Sequence, residues 1–179
     1  MSDDRRQANP STSAPLEVRL NVLLTVETGI TVAAAESCTG GNVAHRITSI
    51  AGSSVYFLGS VVSYANSAKM GLLGVSKEIL ETWGAVSEEC ARAMVAGACR
   101  VFGADVAVAT TGVAGPGGGT ARKPVGLVYI ASSGPTGVVC REYHFGGDRL
   151  AVIEAATEAA LEMLLVEAER AVALRNVVT

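Results

Sequence analysis

A serine, a threonine and two glycines stand together in Glu36-Ser37-Cys38-Thr39-Gly40-Gly41, directly after the apolar run Ile30-Thr-Val-Ala-Ala-Ala35. A buried strand that runs into a hydroxyl-bearing turn and then a helix can serve several chemistries. Backbone N–H groups at a helix start point outward, and with the dipole they hold an anion. Glycine lets a ligand approach that backbone closely. A serine fixed at such a turn becomes a nucleophile when a base is in reach. As plain N-caps, Ser and Thr would only satisfy the first turn of the helix. The segment is neither a Walker P-loop nor a Gly-x-Ser-x-Gly elbow.

Three further places carry chemistry. In Tyr64-Ala-Asn-Ser-Ala-Lys69 a strand meets a short helix; Asn66 is a turn or cap residue and Lys69 follows one turn later. By residue type Lys69 is a solvated surface cation. Aimed instead into a cleft at the end of the sheet, it would be neutralised by desolvation and accept a proton from a nucleophile. The segment Thr111-Gly112-Val-Ala-Gly115-Pro116-Gly-Gly-Gly-Thr120 follows a buried strand, where open α/β sheets bind ligands. Its glycine density favours a binding loop over a flexible connector. Arg149, beside Gly146-Gly-Asp148 at the start of the last helix, can hold a phosphate or form a surface ion pair with Asp148 or Glu142. His45 and His144 are the only histidines; they support neither a Ser-His-Asp arrangement nor a metal-ligand spacing, and no metal site is expected.

The elements that must position these residues are legible from periodicity. A helix is expected over Leu16 to Thr28, stopped by Gly29, then a strand over Ile30 to Ala35 and a helix from Gly40 or Gly41 to about Ile50. Val55 to Tyr64 reads as a strand. Asn66 to Leu73 is a short helix ended by Gly74, Ser76 caps another to Trp83, and Ser87 caps a longer one to Gly103. Ala104 to Thr111 is a buried strand; Val125 to Ser133 and Gly137 to Phe145 form a hairpin; one long helix runs from Asp148. Strands alternating with helices, plus one hairpin, predict an α/β fold with a mixed, mostly parallel sheet and helices on both faces.

The bulk numbers agree. Residues are 49% hydrophobic but only 4% aromatic, so the core is built from small aliphatic side chains. A net charge of -3 with no basic block sets nucleic-acid binding aside. No apolar run reaches the ~20 residues of a membrane-spanning helix. Residues 1–15 read as a flexible polar tail without the apolar stretch of a secretory signal, and residues 16–179 as a single domain. Cys38, Cys90, Cys99 and Cys140 contain no C-x-x-C pair, which points to a reducing, cytoplasmic compartment; Cys90 and Cys99 read as buried hydrophobes. Ala- and Gly-rich helices allow close packing between subunits, and a homo-oligomer is expected.

Taken in order, Ala35-Glu-Ser-Cys-Thr-Gly-Gly41, Gly52-Ser-Ser54, Tyr64-x-Asn66-x-x-Lys69, Gly71-Leu-Leu-Gly-Val75, Gly84-Ala-Val-Ser-Glu-Glu89, Thr111-Gly-Val-Ala-Gly-Pro-Gly-Gly-Gly119, Lys123-Pro-Val-Gly126 and Phe145-x-Gly-Asp-Arg149 form a specific series. It resembles the CinA C-terminal domain, the competence/damage-inducible family, over about Leu16 to Glu167. The resemblance implies a three-layer α/β/α sandwich and hydrolysis of nicotinamide mononucleotide to nicotinate mononucleotide and ammonia, in pyridine-nucleotide recycling and without a cofactor. It assigns Ser37 as nucleophile and Lys69 as its base. Thr39, Gly40, Gly41, Tyr64, Asn66, Thr111, Gly112, Gly115, Pro116 and Arg149 are assigned to the lining of the substrate site.

The sequence departs from the family pattern in two ways. Ser and Glu are expected at the positions of Ala65 and Ser67, and the molybdopterin-binding-like domain that precedes this one in many relatives has no counterpart, as in a stand-alone form. Under this resemblance the Thr39-Gly40-Gly41 helix start or the 112–119 loop would hold the oxyanion, and the remaining helix start with Arg149 would hold the 5′-phosphate. Two rivals stay open: a thiol mechanism with Cys38 as nucleophile, and a non-catalytic nucleotide-binding or regulatory module.

Overall fold

The structure, a computed structural model, describes residues 13–26 and 28–178. The first twelve positions of the expected tail and Glu27 of the first expected helix lie outside the described residues. Five strands form one sheet in the order β2-β1-β3-β4-β5. They are β1 (Val32–Glu36), β2 (Phe57–Val62), β3 (Val106–Gly112), β4 (Leu127–Gly134) and β5 (Gly137–His144). β1 pairs in parallel with β2 and with β3, whereas β4 is antiparallel to both β3 and β5. Four strands therefore point one way and only β4 is reversed.

The helices are α1 (Leu16–Thr25), α2 (Asn42–Thr48), α3 (Asn66–Leu73), α4 (Lys77–Thr82), α5 (Glu88–Phe102) and α6 (Arg149–Val178). Successive strand residues point to opposite faces, and the two faces differ in size. Val32, Ala34, Val106, Val108 and Ile130 pack with Leu20, Leu24, Val43, Ile47 and the α6 residues Ala156, Leu161 and Leu164. Ala33, Ala35, Ala107, Ala109 and Ala131 face Leu73, Met94, Val95 and Ala98 from α3 and α5. The alanine face draws α5 close to the sheet. Helices on both faces make the expected α/β/α sandwich.

Local chemistry sets the element ends. Ser76 Oγ accepts from Ile79 N–H and Ser87 Oγ from Cys90 N–H, both as capping predicts. Several details are corrected, among them α2, which runs only over Asn42–Thr48, β2, which runs over Phe57–Val62, and β3, which begins at Val106. α1 ends at Thr25, before Gly29, because Val26 takes extended backbone. β1 begins at Val32 and includes Glu36. At the start of α3 the N-cap is Ala65, so Asn66 is its first helical residue and makes no cap. Of the cysteines, Cys90 is buried and Cys99 only half-buried.

From β1 the chain leads by α2 to β2; from β3 it leads away to β4. The connections diverge between β1 and β3, and the crevice beyond the carboxyl ends of those strands is where open α/β sheets take ligands.

Candidate active site

Ser37 follows the last residue of β1 and is pinned from both sides. Its N–H donates to Thr110 O at 3.0 Å, and Ser63 N–H donates to Glu36 O at 2.8 Å. These bonds extend the pairing of β1 with its neighbours past its end, so the nucleophile candidate sits on rigid backbone. Gly40 N–H donates back to Ser37 O at 3.1 Å, and Gly40 and Gly41 both take positive φ, 63° and 103°. A β-carbon disfavours such angles. The turn then feeds α2 directly.

Lys69 is the fourth residue of α3, and its side chain runs inward; only 1% of the residue is exposed. The solvated surface lysine that residue type favoured is not what the fold builds. Lys69 Nζ lies 3.0 Å from Ser37 Oγ and donates to Ser63 O at 2.6 Å. As an ammonium, Nζ donates to both oxygens; as a neutral amine it keeps the bond to Ser63 O and accepts from the Ser37 hydroxyl. Burial lowers the Lys69 pKa, opposed by the nearby thiols of Cys90 and Cys38. Those thiols are themselves pushed up to about 11 by burial, so near neutral pH they carry no charge to hold the ammonium. Cys38 is 5% exposed and a poor source of thiolate.

The α2 start does not offer its N–H groups to a ligand. Glu36, fully buried, turns its carboxylate onto that helix. Oε2 accepts from Thr39 Oγ (2.8 Å), Gly41 N–H (2.9 Å) and Val43 N–H (3.1 Å). Oε1 accepts from Ala44 N–H (3.0 Å) and Ser60 Oγ (3.1 Å). The helix dipole and its orphan donors are satisfied within the chain. The helix start expected to hold the oxyanion at Thr39-Gly40-Gly41, and the phosphate with the rest of its N–H groups and Arg149, is thus largely filled by the chain's own carboxylate. Of those three N–H groups, Gly40 and Gly41 are engaged. Among the described residues, Cys38 and Thr39 N–H, next to the nucleophile candidate, donate to no protein oxygen.

Other expected residues are distributed around this centre. Arg149 donates to Gly115 O at 2.7 Å and to Tyr64 Oη at 2.8 Å, tying the start of α6 to the glycine loop and to the residue after Ser63. It makes no ion pair with Asp148 or Glu142; Asp148 Oδ1 instead accepts from Ala151 N–H. Pro116 and Arg149 line a depression of about 490 Å³. Thr39, Gly40 and Gly41 line another of about 380 Å³, and Leu150 borders both. Thr111 Oγ donates to Ala85 O at 2.6 Å, which anchors the approach to α5. Gly112 lies against the Leu127 backbone, where a Cβ would come within 2.6 Å of Leu127 O. Asn66 is exposed. Among the described residues no cluster of three His, Cys, Asp or Glu side chains could hold a metal ion, and no helix is long and apolar enough to cross a membrane.

Sequence reasoning missed Glu36, Thr110 and the Ser63 carbonyl. Thr110 Oγ, fully buried, shares a hydrogen with Thr39 Oγ at 2.8 Å. Glu36 left a signal, since it is the one charged residue in the otherwise apolar strand Val32–Glu36.

Residues 14–168 match the model of the CinA C-terminal domain. A CinA-like protein of Geotalea uraniireducens is 56% identical over 69% of the chain and 29% of its own length; one of Geobacter sulfurreducens is 51% identical over 77% and 33%. The chain thus spans about a third of these curated relatives. The crystal structure of the competence/damage inducible protein CihA of Agrobacterium tumefaciens superposes with a TM-score of 0.80 at 44% identity, covering 84% of this chain and 94% of that one. A CinA superfamily protein from Klebsiella pneumoniae gives 0.81 at 34% identity, covering 87% and 96%. The chain belongs to the CinA C-terminal domain family.

Proposed function

We propose that this chain is a cytoplasmic amidohydrolase that converts nicotinamide mononucleotide to nicotinate mononucleotide and ammonia by acyl transfer through Ser37. The observation that carries the reading is Lys69 Nζ at 3.0 Å from Ser37 Oγ, in a buried setting that lowers the lysine pKa. A neutral amine there is a general base in direct reach of a hydroxyl.

Lys69 accepts the Ser37 proton as Oγ attacks the carboxamide carbon, and the carbonyl electron pair moves onto oxygen. The N–H groups of Cys38 and Thr39, which donate to no protein oxygen among the described residues, serve in this reading as the donors to that oxyanion, where one such donor is worth ~3 kcal/mol. Collapse of the intermediate expels the amide nitrogen, which takes the proton back from Lys69 and leaves as ammonia. The acyl-Ser37 ester is then hydrolysed by water, with Lys69 again accepting the proton and returning it to Oγ. With Glu36 on the α2 start, the 5′-phosphate falls to Arg149, whose two planar donors exchange Tyr64 Oη or Gly115 O for phosphate oxygens.

Ammonia release from nicotinamide mononucleotide by the purified protein tests this reading. Ser37→Ala reduces the release to background, and Cys38→Ala keeps most of it. No release from the wild type would leave a nucleotide-binding module. Loss in Cys38→Ala with retention in Ser37→Ala would hand the nucleophile role to the thiol.

A further inference from the structure

The sheet has two edges, and they are built differently. β5, at one edge, exposes Arg141, Glu142 and His144. Charged side chains on an edge strand keep other strands from pairing with it. β2, at the other edge, has none. The thirty residues between Arg46 and Lys77, which include the 3-10 helix Ser53–Val55, β2 and α3, hold a single charged side chain, Lys69, and it is buried. In the same span Val55, Leu58, Val62, Tyr64, Met70 and Leu72 are exposed. A surface without charge and rich in exposed apolar side chains has the composition of an interface centre.

The backbone of β2 is unfinished as well. Ser63 N–H donates to Glu36 O, so by strand alternation Ser63, Val61 and Gly59 turn their N–H and C=O groups toward β1. Those of Ser60 and Val62 face away from the sheet, where no further strand pairs with them. Among the described residues they make no hydrogen bond to the chain.

We propose that β2 is the contact between two copies of this chain, paired antiparallel about a twofold axis at Ser60 so that the two sheets become one. An edge strand that pairs with itself across a twofold is antiparallel, and opposite side chains share a face, so the axis passes through a residue. At Ser60 the outward backbone groups meet: Ser60 pairs with Ser60, and Val62 with Leu58 of the second copy. The two exposed aliphatic side chains of β2, Leu58 at 43% and Val62 at 46% exposure, then cover each other twice. Leu58 is skipped in the register with β1, which leaves it outside the pairing of the chain's own sheet. A second copy is the occupant that fits. The strip offers nothing to a charged partner, and two copies meet there without repulsion although each carries a net charge of -3. The pairing ends at Ser63, whose carbonyl accepts from Lys69, so the contact borders the Ser37–Lys69 centre. It does not depend on the reaction assigned there.

Sedimentation equilibrium on the full chain tests the proposal. A mass of twice 18.2 kDa at micromolar concentration is expected. Leu58→Lys and Val62→Lys each set an ammonium against an apolar side chain, with no acidic residue in the span to answer it. Because the contact occurs twice, each variant weakens the dimer by roughly tenfold or more. Val139→Lys, on the edge strand β5, leaves the mass unchanged. Thermal melts show that the three variants are folded. Amide hydrogen exchange reads the strand pairing itself: Ser60 and Val62 N–H exchange slowly in the dimer and fast once it is diluted apart. A monomeric wild type would overturn the proposal. So would a dimer unaffected by both β2 variants, or one in which the Ser60 and Val62 amides exchange as fast as those of an open edge.

Discussion

Replacing Glu36 by Gln keeps the shape of the side chain and removes one acceptor. In the better of its two orientations the amide oxygen takes the place of Oε2 and keeps Thr39 Oγ, Gly41 N–H and Val43 N–H. The amide nitrogen then faces Ala44 N–H, donor against donor, while the Ser60 hydroxyl can rotate to accept. One sequestered N–H is orphaned, at ~1–3 kcal/mol. The negative charge at the helix start is lost as well, at roughly 0.3–2 kcal/mol. Together these give about 1–5 kcal/mol, no more than the low end of the 5–15 kcal/mol that typically holds a domain folded, so a folded variant is expected. For a chain of this size that is a fall in Tm of roughly 2–20 °C, read by circular dichroism. Because Ser37 is the next residue, kcat for ammonia release should fall more than KM rises at a temperature where both proteins are folded. A Tm within the ~0.5 kcal/mol scatter of surface substitutions would refute the assignment of that carboxylate as the anchor of α2.

Two other perturbations test the surroundings of the dyad. The lowered Lys69 pKa means that the unfolded chain, titrating near ~10.4, binds more protons than the folded one between the folded pKa and ~10.4, so stability rises with pH across that window. Lys69→Met lacks this slope; melts from neutral pH toward ~10 should show the wild type gaining on the variant, and a constant difference would mean that burial does not disfavour the ammonium. Gly97→Ala should destabilise by ~1–3 kcal/mol, since its Cβ would fall 2.2 Å from Leu73 O and push α5 off the helix that carries Lys69. An unchanged denaturant midpoint for that variant would show that α3 and α5 shift apart freely.

Much of this arrangement was legible before the fold was known. Ser37 and Lys69 sit at strand–helix junctions that periodicity and glycine stops locate well, and Gly74 and Gly103 end α3 and α5 where expected. What could not be read locally was the direction of Lys69. A lysine one turn into a short helix points to water or to the core depending on how α3 packs, and that is set by Gly97 and Leu73, more than twenty residues apart. Where the Glu36 carboxylate reaches was hidden for a related reason, although its charge at the end of an apolar strand was visible. It reads as a polar residue just past a strand, yet its carboxylate folds forward onto amides five to eight residues on and onto Ser60 of the neighbouring strand. The resemblance drew attention to this segment, but the helix start it offered to an oxyanion and, with Arg149, to a phosphate is largely filled by the chain's own carboxylate.

The most direct test of the Ser37–Lys69 centre is the pH dependence of kcat for ammonia release, measured on the wild type and on Lys69→Arg. A base must lose its proton before it acts, so the wild-type rate should rise with pH along a single limb whose midpoint lies below the ~10.4 of a free lysine. Lys69→Arg should be inactive across the same range, because guanidinium stays protonated and cannot take the Ser37 proton. An arginine variant that keeps its activity and the same limb would contradict the account; Lys69 would then be an electrostatic clamp, and the base for Ser37 would lie elsewhere.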